Sequence, residues 1–492
     1  MNNLSYSDNL NFFRKSGVGT MIKTTLVGHA CLLIQSKETT ILTDPVWFDY
    51  LWEEINVLCP SVDLKKDRIP PVDVLNLSHR HQDHFDVRTL AYLARDKRII
   101  KPDSIVLAPK DDLLLDILNE LELKNIRVVS DFEPIQVKDV VITPTASLNQ
   151  SSTAEDDFPE HGLLVSDGEV TIWNQVDSQV NPDIIQKIGE LHGQIDFFHS
   201  RFVPLLEGNF AYNKPLTLPV DEYCTFLNVV KALGPKFVVP GSAAFRCRDE
   251  LTFLNQYTFP ITQDQFIRDL AAFCPEVPSA PFFPGDIACI SADKIWIDNQ
   301  TSDFVRVRED NSHRIIFKPN AEVPPIKTQT TDPKQYEKEM KVVKDFIEKD
   351  LLDKVISSEL LGGWQHWQIV YQLEVFGQEG SQIWTIDFGK NGRPQLCKGD
   401  LGKINLYEGI SSSELCALIK GTTSWDYVTL CGNYRTFNNI YRVTDGGFEL
   451  PPEDKSNYAL EPLMDLFPWD SDMDRRKFIR DVKRWKGNIG NG

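Results

Sequence analysis

The stretch Ser78-His79-Arg80-His81-Gln82-Asp83-His84-Phe85-Asp86 brings three of the nine histidines and a carboxylate into six residues. It follows the apolar run Val72-Asp73-Val74-Leu75-Asn76-Leu77, which reads as a buried strand. The cluster therefore falls in the loop at a strand's C-terminal end, where open α/β sheets place their ligand sites. Alternation along an extended loop sets His79 and His81 on one side. Asp83 and His84 come after the chain turns, so they can address a second point in space. Imidazole and carboxylate donors suit zinc, iron or manganese, and two adjacent points suit two ions roughly 3.5–4 Å apart.

Other strand ends supply further donors. Gly28-His29-Ala30 lies in an alternating run from Thr24 to Ile34, and a second run, Thr40 to Phe48, is broken by Asp44-Pro45. These read as two paired strands, with Lys37-Glu38 at the turn. Proline cannot continue a central strand, so Asp44 faces the sheet's end. From there a carboxylate can orient a metal-bound imidazole from behind, and His29 is a second supporting candidate. Val170-Thr171-Ile172-Trp173-Asn174 runs into Gln175-Val176-Asp177-Ser178, which puts Asp177 at a strand end as a carboxylate able to bridge two metals. Ile195 to Ser200 is a strand entering a loop at the same edge, with His199 as a ligand or proton donor. Arg201 and Arg246 are candidates to clamp a substrate carboxylate or phosphate, since guanidinium forks match those groups.

Between these donors the chain repeats βα units. Val87–Arg95 and Asp111–Leu121 read as helices, and Ser104–Ala108, Ile126–Val129, Val140–Thr143 and Gly162–Val165 as strands. With 492 residues, 41% hydrophobic and 25% charged, the chain is that of a globular protein with more than one domain. A formal charge of −19 disfavours general nucleic-acid binding, which needs clustered Lys and Arg. No run of eighteen apolar residues predicts an integral membrane helix. Residues 1–20 read as a polar tail without the apolar core of a signal peptide. Nine scattered cysteines with no C-x-x-C pair read as reduced thiols in a cytoplasmic protein.

G-H-A-C-L-L-I, I-L-T-D-P, H-x-H-x-D-H and a strand-terminal Asp, in this order, resemble the metallo-β-lactamase superfamily over roughly Ile22 to Ile297. The resemblance implies an α/β fold, a four-layer αβ/βα sandwich with a dinuclear site between its sheets. It implies that His79 and His81 hold one metal, that Asp83 and His84 hold the other with Asp83 also catalytic, and that Asp177 bridges. Hydrolases of the superfamily usually add one histidine to each metal. Here Pro144-Thr145-Ala146-Ser147-Leu148-Asn149 and Gly241-Ser242-Ala243-Ala244-Phe245-Arg246 stand at those places without one. Glu155, Asp156, Asp157, Glu160, His161, His199 and Ser242 remain as replacements, Glu160 and His161 foremost. Within the superfamily the chain looks most like the catalytic part of CMP-N-acetylneuraminate hydroxylases, and also like diiron β-hydroxylases that use a carboxylate in place of a histidine.

Two reaction classes and a binding role follow. Oxygen-rich ligation favours iron, hence an oxygenase acting on a small organic molecule with electrons from an external donor such as a ferredoxin. The alternative is a zinc or manganese hydrolase of an ester, phosphodiester, sulfate ester or lactone. A non-catalytic scaffold would leave several buried polar ligands around an empty site, which costs stability.

From Asn299 the composition shifts, and residues 301–333 read as a linker. Residues 334–492 read as a smaller α+β domain. Its helix–strand–strand–strand–helix pattern resembles a sterol-carrier-protein-type domain over Gln335 to Val443, a type that implies an apolar cavity and sometimes a homodimer. The basic segment Asp474 to Lys486 predicts an amphipathic helix whose Phe478, Ile479, Val482 and Trp485 pack on its own domain rather than on a partner or a membrane surface.

Overall fold

The computed structural model describes residues 21–148, 158–204, 206–258, 260–315, 322–389, 392–451, 460–467 and 471–487. In chain order its first half forms β1 (Met21–Gly28), β2 (Cys31–Gln35), β3 (Thr40–Thr43), β4 (Val72–Asn76), β5 (Ile100–Ala108) and β6 (Ile126–Val128). There follow β7 (Ile135–Val137), β8 (Val140–Ala146), β9 (His161–Ser166), β10 (Thr171–Asn174), β11 (Phe197–Arg201) and β12 (Phe237–Gly241), then β13 (Ile287–Ser291) and β14 (Ile295–Asp298). One sheet has the order β14-β13-β1-β2-β3-β4-β5-β6 and the other β7-β8-β9-β10-β11-β12. Each sheet begins antiparallel and ends in parallel strands, β3 to β6 in the first and β10 to β12 in the second.

Strand alternation builds the layers. Ile34, Ile41 and Val74 face inward and meet Ile142, Leu163, Ile172 and Phe197 of the opposite sheet. Their neighbours Leu33, Leu42 and Leu75 join the outer core with Leu90 of α1 (Val87–Arg95) and Leu114 of α2 (Asp112–Glu120). On the far side Trp173, Phe198 and Val238 pack with Ile188 of α3 (Pro182–His192) and Val230 of α4 (Val220–Leu233). Side chains on both faces of each sheet are therefore buried, which explains the near-continuous apolar runs of the parallel strands. The result is a four-layer αβ/βα sandwich.

Three details depart from the sequence reading. The run Thr24–Ile34 is two strands, not one: β1 and β2 are joined by a tight turn at His29-Ala30, with His29 at φ 50°. Apolar alternation continues on both sides of that turn, so periodicity alone does not reveal it. Residues 301–333 are not wholly linker, because Val305–Glu309 pairs antiparallel with Ser61–Leu64 of the first domain. The last helix, α5 (Ser471–Gly487), packs not on the C-terminal domain alone but on α1 and α2. Phe478 and Val482 join the first domain's core, Lys486 pairs with Glu122 at 2.8 Å, and Arg475 pairs with Asp116.

The C-terminal region has its own core around Trp364, Tyr371, Trp384, Trp425 and Tyr434. Its five strands are β15 (Val370–Phe376), β16 (Ser381–Asp387), β17 (Gln395–Lys398), β18 (Leu406–Ser411) and β19 (Tyr434–Asn438), in the order β17-β16-β15-β18-β19. Among the described residues no helix is long and apolar enough to cross a membrane.

Candidate metal centre

The site lies at the C-terminal ends of the parallel strands. β3 ends at Asp44, β4 leads into Ser78–Asp86, β10 into Asp177, and β11 and β12 carry His199 and Gly241. The loop turns where His84 N and Phe85 N both donate to His81 O, at 2.9 and 2.7 Å. Asp86 then caps α1, accepting from Thr89 N at 3.2 Å, a type of contact worth about 1 kcal/mol. Phe478 of α5 meets Phe85 edge-on at 5.7 Å, so the last helix braces the residue next to His84.

Two groups of donor atoms converge, each within 4.8 Å: His79 with His81 and Asp177, and His29 with Asp83 and His84. Asp44 organises both. It is fully buried and held at φ 37°. Its Oδ1 accepts from Ser78 N at 2.8 Å and its Oδ2 from Ser78 Oγ at 2.6 Å. Because Ser78 Oγ spends its proton on Asp44, it accepts from His79 Nδ1 at 2.9 Å. That contact puts the proton on Nδ1 and the lone pair of His79 on Nε2, which lies 2.8 Å from His81 Nδ1. The same Asp44 Oδ2 accepts from His84 Nδ1 at 3.3 Å, which turns His84 Nε2 toward Asp177 Oδ2 at 3.2 Å and Asp83 Oδ2 at 3.6 Å. One carboxylate thus fixes two imidazole tautomers, the arrangement that orients metal-ligating histidines.

His29 has a different place. Its Nδ1 accepts the backbone N–H of Ala244 at 3.3 Å, and its Nε2 faces Asp83 Oδ2 at 3.1 Å. With Nδ1 accepting, the proton sits on Nε2 and is donated to Asp83. His29 thereby aims the carboxylate and has no lone pair to offer a cation, although its nitrogen is close to Asp83 and His84.

The charges left in the pocket call for a cation. Burial pulls His84 toward neutrality, but Asp177, Asp83 and Asp44 outweigh it and hold its pKa well above the ordinary value. Burial, with His84 and His81 nearby, holds His79 well below its ordinary value, so it is neutral and ready to donate. Asp83 Oδ1 is buried and has no hydrogen-bond partner among the described residues, an arrangement that costs stability unless something else satisfies it. Three imidazoles and two carboxylates converging this way fit divalent metal.

The other predicted residues divide. Glu160 belongs to neither donor group; Ser147 Oγ donates to its Oε1 at 2.5 Å. Burial raises its pKa, Ser147 lowers it, Asp177 raises it further, and Arg201 and His81 oppose that. Arg201 donates through a guanidinium N–H to Asp177 O at 2.7 Å and lies 3.9 Å from Glu222. His161 and His199 belong to neither donor group. His161 Nε2 lies 3.0 Å from Asn76 Oδ1 and His199 Nδ1 2.8 Å from Asn174 Oδ1. Arg246 lies beside Cys59 and donates to Cys247 O at 3.4 Å. Glu155, Asp156 and Asp157 lie outside the described residues. Sequence reasoning missed Ser78 as the relay, Ser147 as the partner of Glu160, and Asn76 and Asn174 as histidine anchors. A buried amide at the end of an apolar strand was the available signal for the last two.

Gly241 is required by His199. An ideal Cβ there would lie 2.5 Å from both His199 Cε1 and Nε2. Gly241→Ala is therefore expected to destabilise the fold by about 1–3 kcal/mol, read from urea unfolding. Adding His199→Ala should recover part of that loss by removing the obstructing ring.

Residues 23–242 match the family model described as a beta-lactamase superfamily domain. This part of the chain has the metallo-β-lactamase fold. The chain is 30% identical over 202 residues, 39% of its length and 36% of the relative's, to a candidate Rieske 2Fe-2S iron–sulfur protein of Mycolicibacterium smegmatis. The chain is 28% identical over 174 residues, 35% of its length and 32% of the relative's, to the 4-amino-L-phenylalanyl-[CmlP-peptidyl-carrier-protein] 3-hydroxylase of Streptomyces venezuelae. The chain thus spans about a third of the length of these two relatives. Among solved structures, Igni18, a metallo hydrolase from Ignicoccus hospitalis, covers 55% of this chain and 99% of its own at 16% identity and a TM-score of 0.38. The matched residues carry two groups of donor atoms that could hold a metal ion.

Proposed function

We propose that the chain is a dinuclear iron oxygenase that hydroxylates a small organic substrate with electrons from an external donor such as a ferredoxin. The observation that carries this reading is the oxygen-rich donor set. Where hydrolases of the superfamily place a histidine, Ser147 stands instead and donates to Glu160, a carboxyl within reach of the charges of Asp177 and His81. His79, His81 and Glu160 would hold one ion, His84 and Asp83 the other, and Asp177 would bridge. One carboxylate supported by a hydroxyl, one held by His29 and a bridging one suit iron more than zinc. The hydroxylase from Streptomyces venezuelae and the iron–sulfur relative are consistent with this class.

When bound, the metals would supply the activation of dioxygen. The overall reaction balances as RH + O2 + 2 e− + 2 H+ giving ROH + H2O, the electrons coming from the external donor. The protein's own part is positioning. Asp44 fixes His79 through Ser78 and His84 directly, His29 aims Asp83, and Arg201 tethers the Asp177 backbone. Asp177, its side chain 28% exposed, marks the side open to reactants.

A zinc or manganese hydrolase draws on one feature, the His79–His81–Asp177 group, which resembles the three-ligand sets of catalytic zinc. Elemental analysis of protein produced with both iron and zinc available separates the two readings. About two irons per chain, a near-ultraviolet band that bleaches with dithionite, and oxygen uptake with reductant are expected. Two zincs, a featureless spectrum and ester hydrolysis would overturn the oxygenase.

A further inference from the structure

A cavity of about 230 Å³ lies between α5 and the metal loop. Gln82, which stands between His81 and Asp83, lines it, and so does Trp52, whose ring lies 5.6 Å from that of His81. Phe85, Val87 and Phe478 give it a buried apolar floor. From α5 come Lys477, Arg480 and Arg484, three and four positions apart, so one helical face presents all three. The charges there do not cancel. Asp86 is committed to Arg88 Nε at 2.8 Å and Thr89 Oγ1 at 2.6 Å, and Glu54 lies 3.6 Å from Arg248. Asp481 follows Lys477 by one turn on the same face. Arg480 and Arg484 are then left over. Arg480 donates to Thr422 O at 3.0 Å, and Arg484 lies 5.0 Å from the ring centre of Trp485. Among the described residues neither is paired with a carboxylate, in a chain whose formal charge is −19.

We propose that this cavity binds a small organic molecule carrying a phosphate or phosphonate dianion, held by the guanidinium groups of Arg480 and Arg484. Planar guanidinium forks match such oxygens in pairs. A dianion balances both arginines, whereas a single carboxylate balances one. The space is several times the roughly 30 Å³ that one water occupies in the liquid, so an inorganic phosphate ion would leave much of it to water. The half-buried indoles of Trp52 and Trp485 line the remainder and suit a flat organic body. A ligand here joins α5 to the metal loop at Gln82. The site is independent of the proposed function, since it requires neither iron nor dioxygen.

The test titrates the full-length, metal-loaded chain calorimetrically with phenylphosphonate, benzoate and inorganic phosphate. Ionic strength is fixed, at a pH where the phosphonate is dianionic. Phenylphosphonate should bind saturably and most tightly, because benzoate shares its ring but carries one charge and phosphate lacks the ring. Arg484→Gln should weaken it by about tenfold or more, and the double substitution Arg480→Gln, Arg484→Gln should abolish it. Arg484→Lys keeps the charge without the fork; it should fall between, and it stands in if Arg484→Gln fails to fold. Lys483→Gln removes a charge from the same helix outside the cavity and should change nothing. No saturable binding of phenylphosphonate up to about 10 mM would overturn the proposal. So would equal binding in wild type and the folded Arg484 variants, which would place the anion on the metals. An equal loss in Lys483→Gln would overturn it too, reducing the site to the general attraction of a basic helix. Binding as expected in a protein with two zincs and no oxygen uptake would uphold the site and overturn the oxygenase.

Discussion

His79→Ala is expected to lower bound metal from about two ions per chain to one or fewer, and turnover by more than the 10–100-fold typical for losing a residue behind the ligands. His79 is fully buried and neutral, and its Nε2 lone pair is aimed by the Asp44–Ser78 relay at the point it shares with His81 Nδ1. Alanine leaves that point with no buried imidazole, and His81, partly exposed, cannot chelate alone. The fold should survive, because the ring is shielded by its neighbours rather than anchoring a strand. Metal content by elemental analysis, read beside far-ultraviolet circular dichroism, checks this. Two tightly held ions in a folded His79→Ala protein would overturn the ligand assignment.

The second large effect is at Asp44, and there stability and metal affinity separate. Asp44→Ala deprives Ser78 N–H, Ser78 Oγ–H and His84 Nδ1–H of their acceptor in a fully buried place. Leaving a buried charge partner uncompensated costs about 3–5 kcal/mol. The φ of 37° adds to the penalty, since alanine tolerates the left-handed region less well than aspartate. Asp44→Asn keeps an acceptor and the tolerance of that backbone, so most of the stability should return. The charge that supports His84 does not return, and metal affinity should stay about 10–100-fold weaker. Urea unfolding and competitive chelation measure the two effects independently. Equal affinity in wild type and Asp44→Asn would show that the charge on Asp44 has no part in holding metal.

Gly241 illustrates the limits of reading the chain alone. Nothing in Pro240-Gly241-Ser242 tells that a histidine 42 positions earlier along the chain, His199, packs against that glycine's Cα. The same holds for Glu160, whose relevance depends on Ser147 reaching it from the neighbouring strand end.

The sequence by itself determined the strands, because runs such as Val72–Leu77 and Val170–Asn174 are apolar, β-branched and bounded by polar loops. It determined that the chemistry sits after β4, because histidine density at H-x-H-x-D-H is local information. It placed Asp44 and Asp177 at strand ends, since proline and the end of the apolar run are also local. Only the tertiary structure decided how these parts meet. Tautomers are set by contacts across tens of residues, Asp44 to Ser78 and His84, Ala244 to His29, and no spacing encodes them. The turn at His29-Ala30 stayed hidden because alternation persists through it. Residues 305–309 and α5 return to the first domain for the same reason: composition reports whether a segment is polar or amphipathic, whereas the surface that accepts its apolar face is assembled from strands and helices distant in the chain.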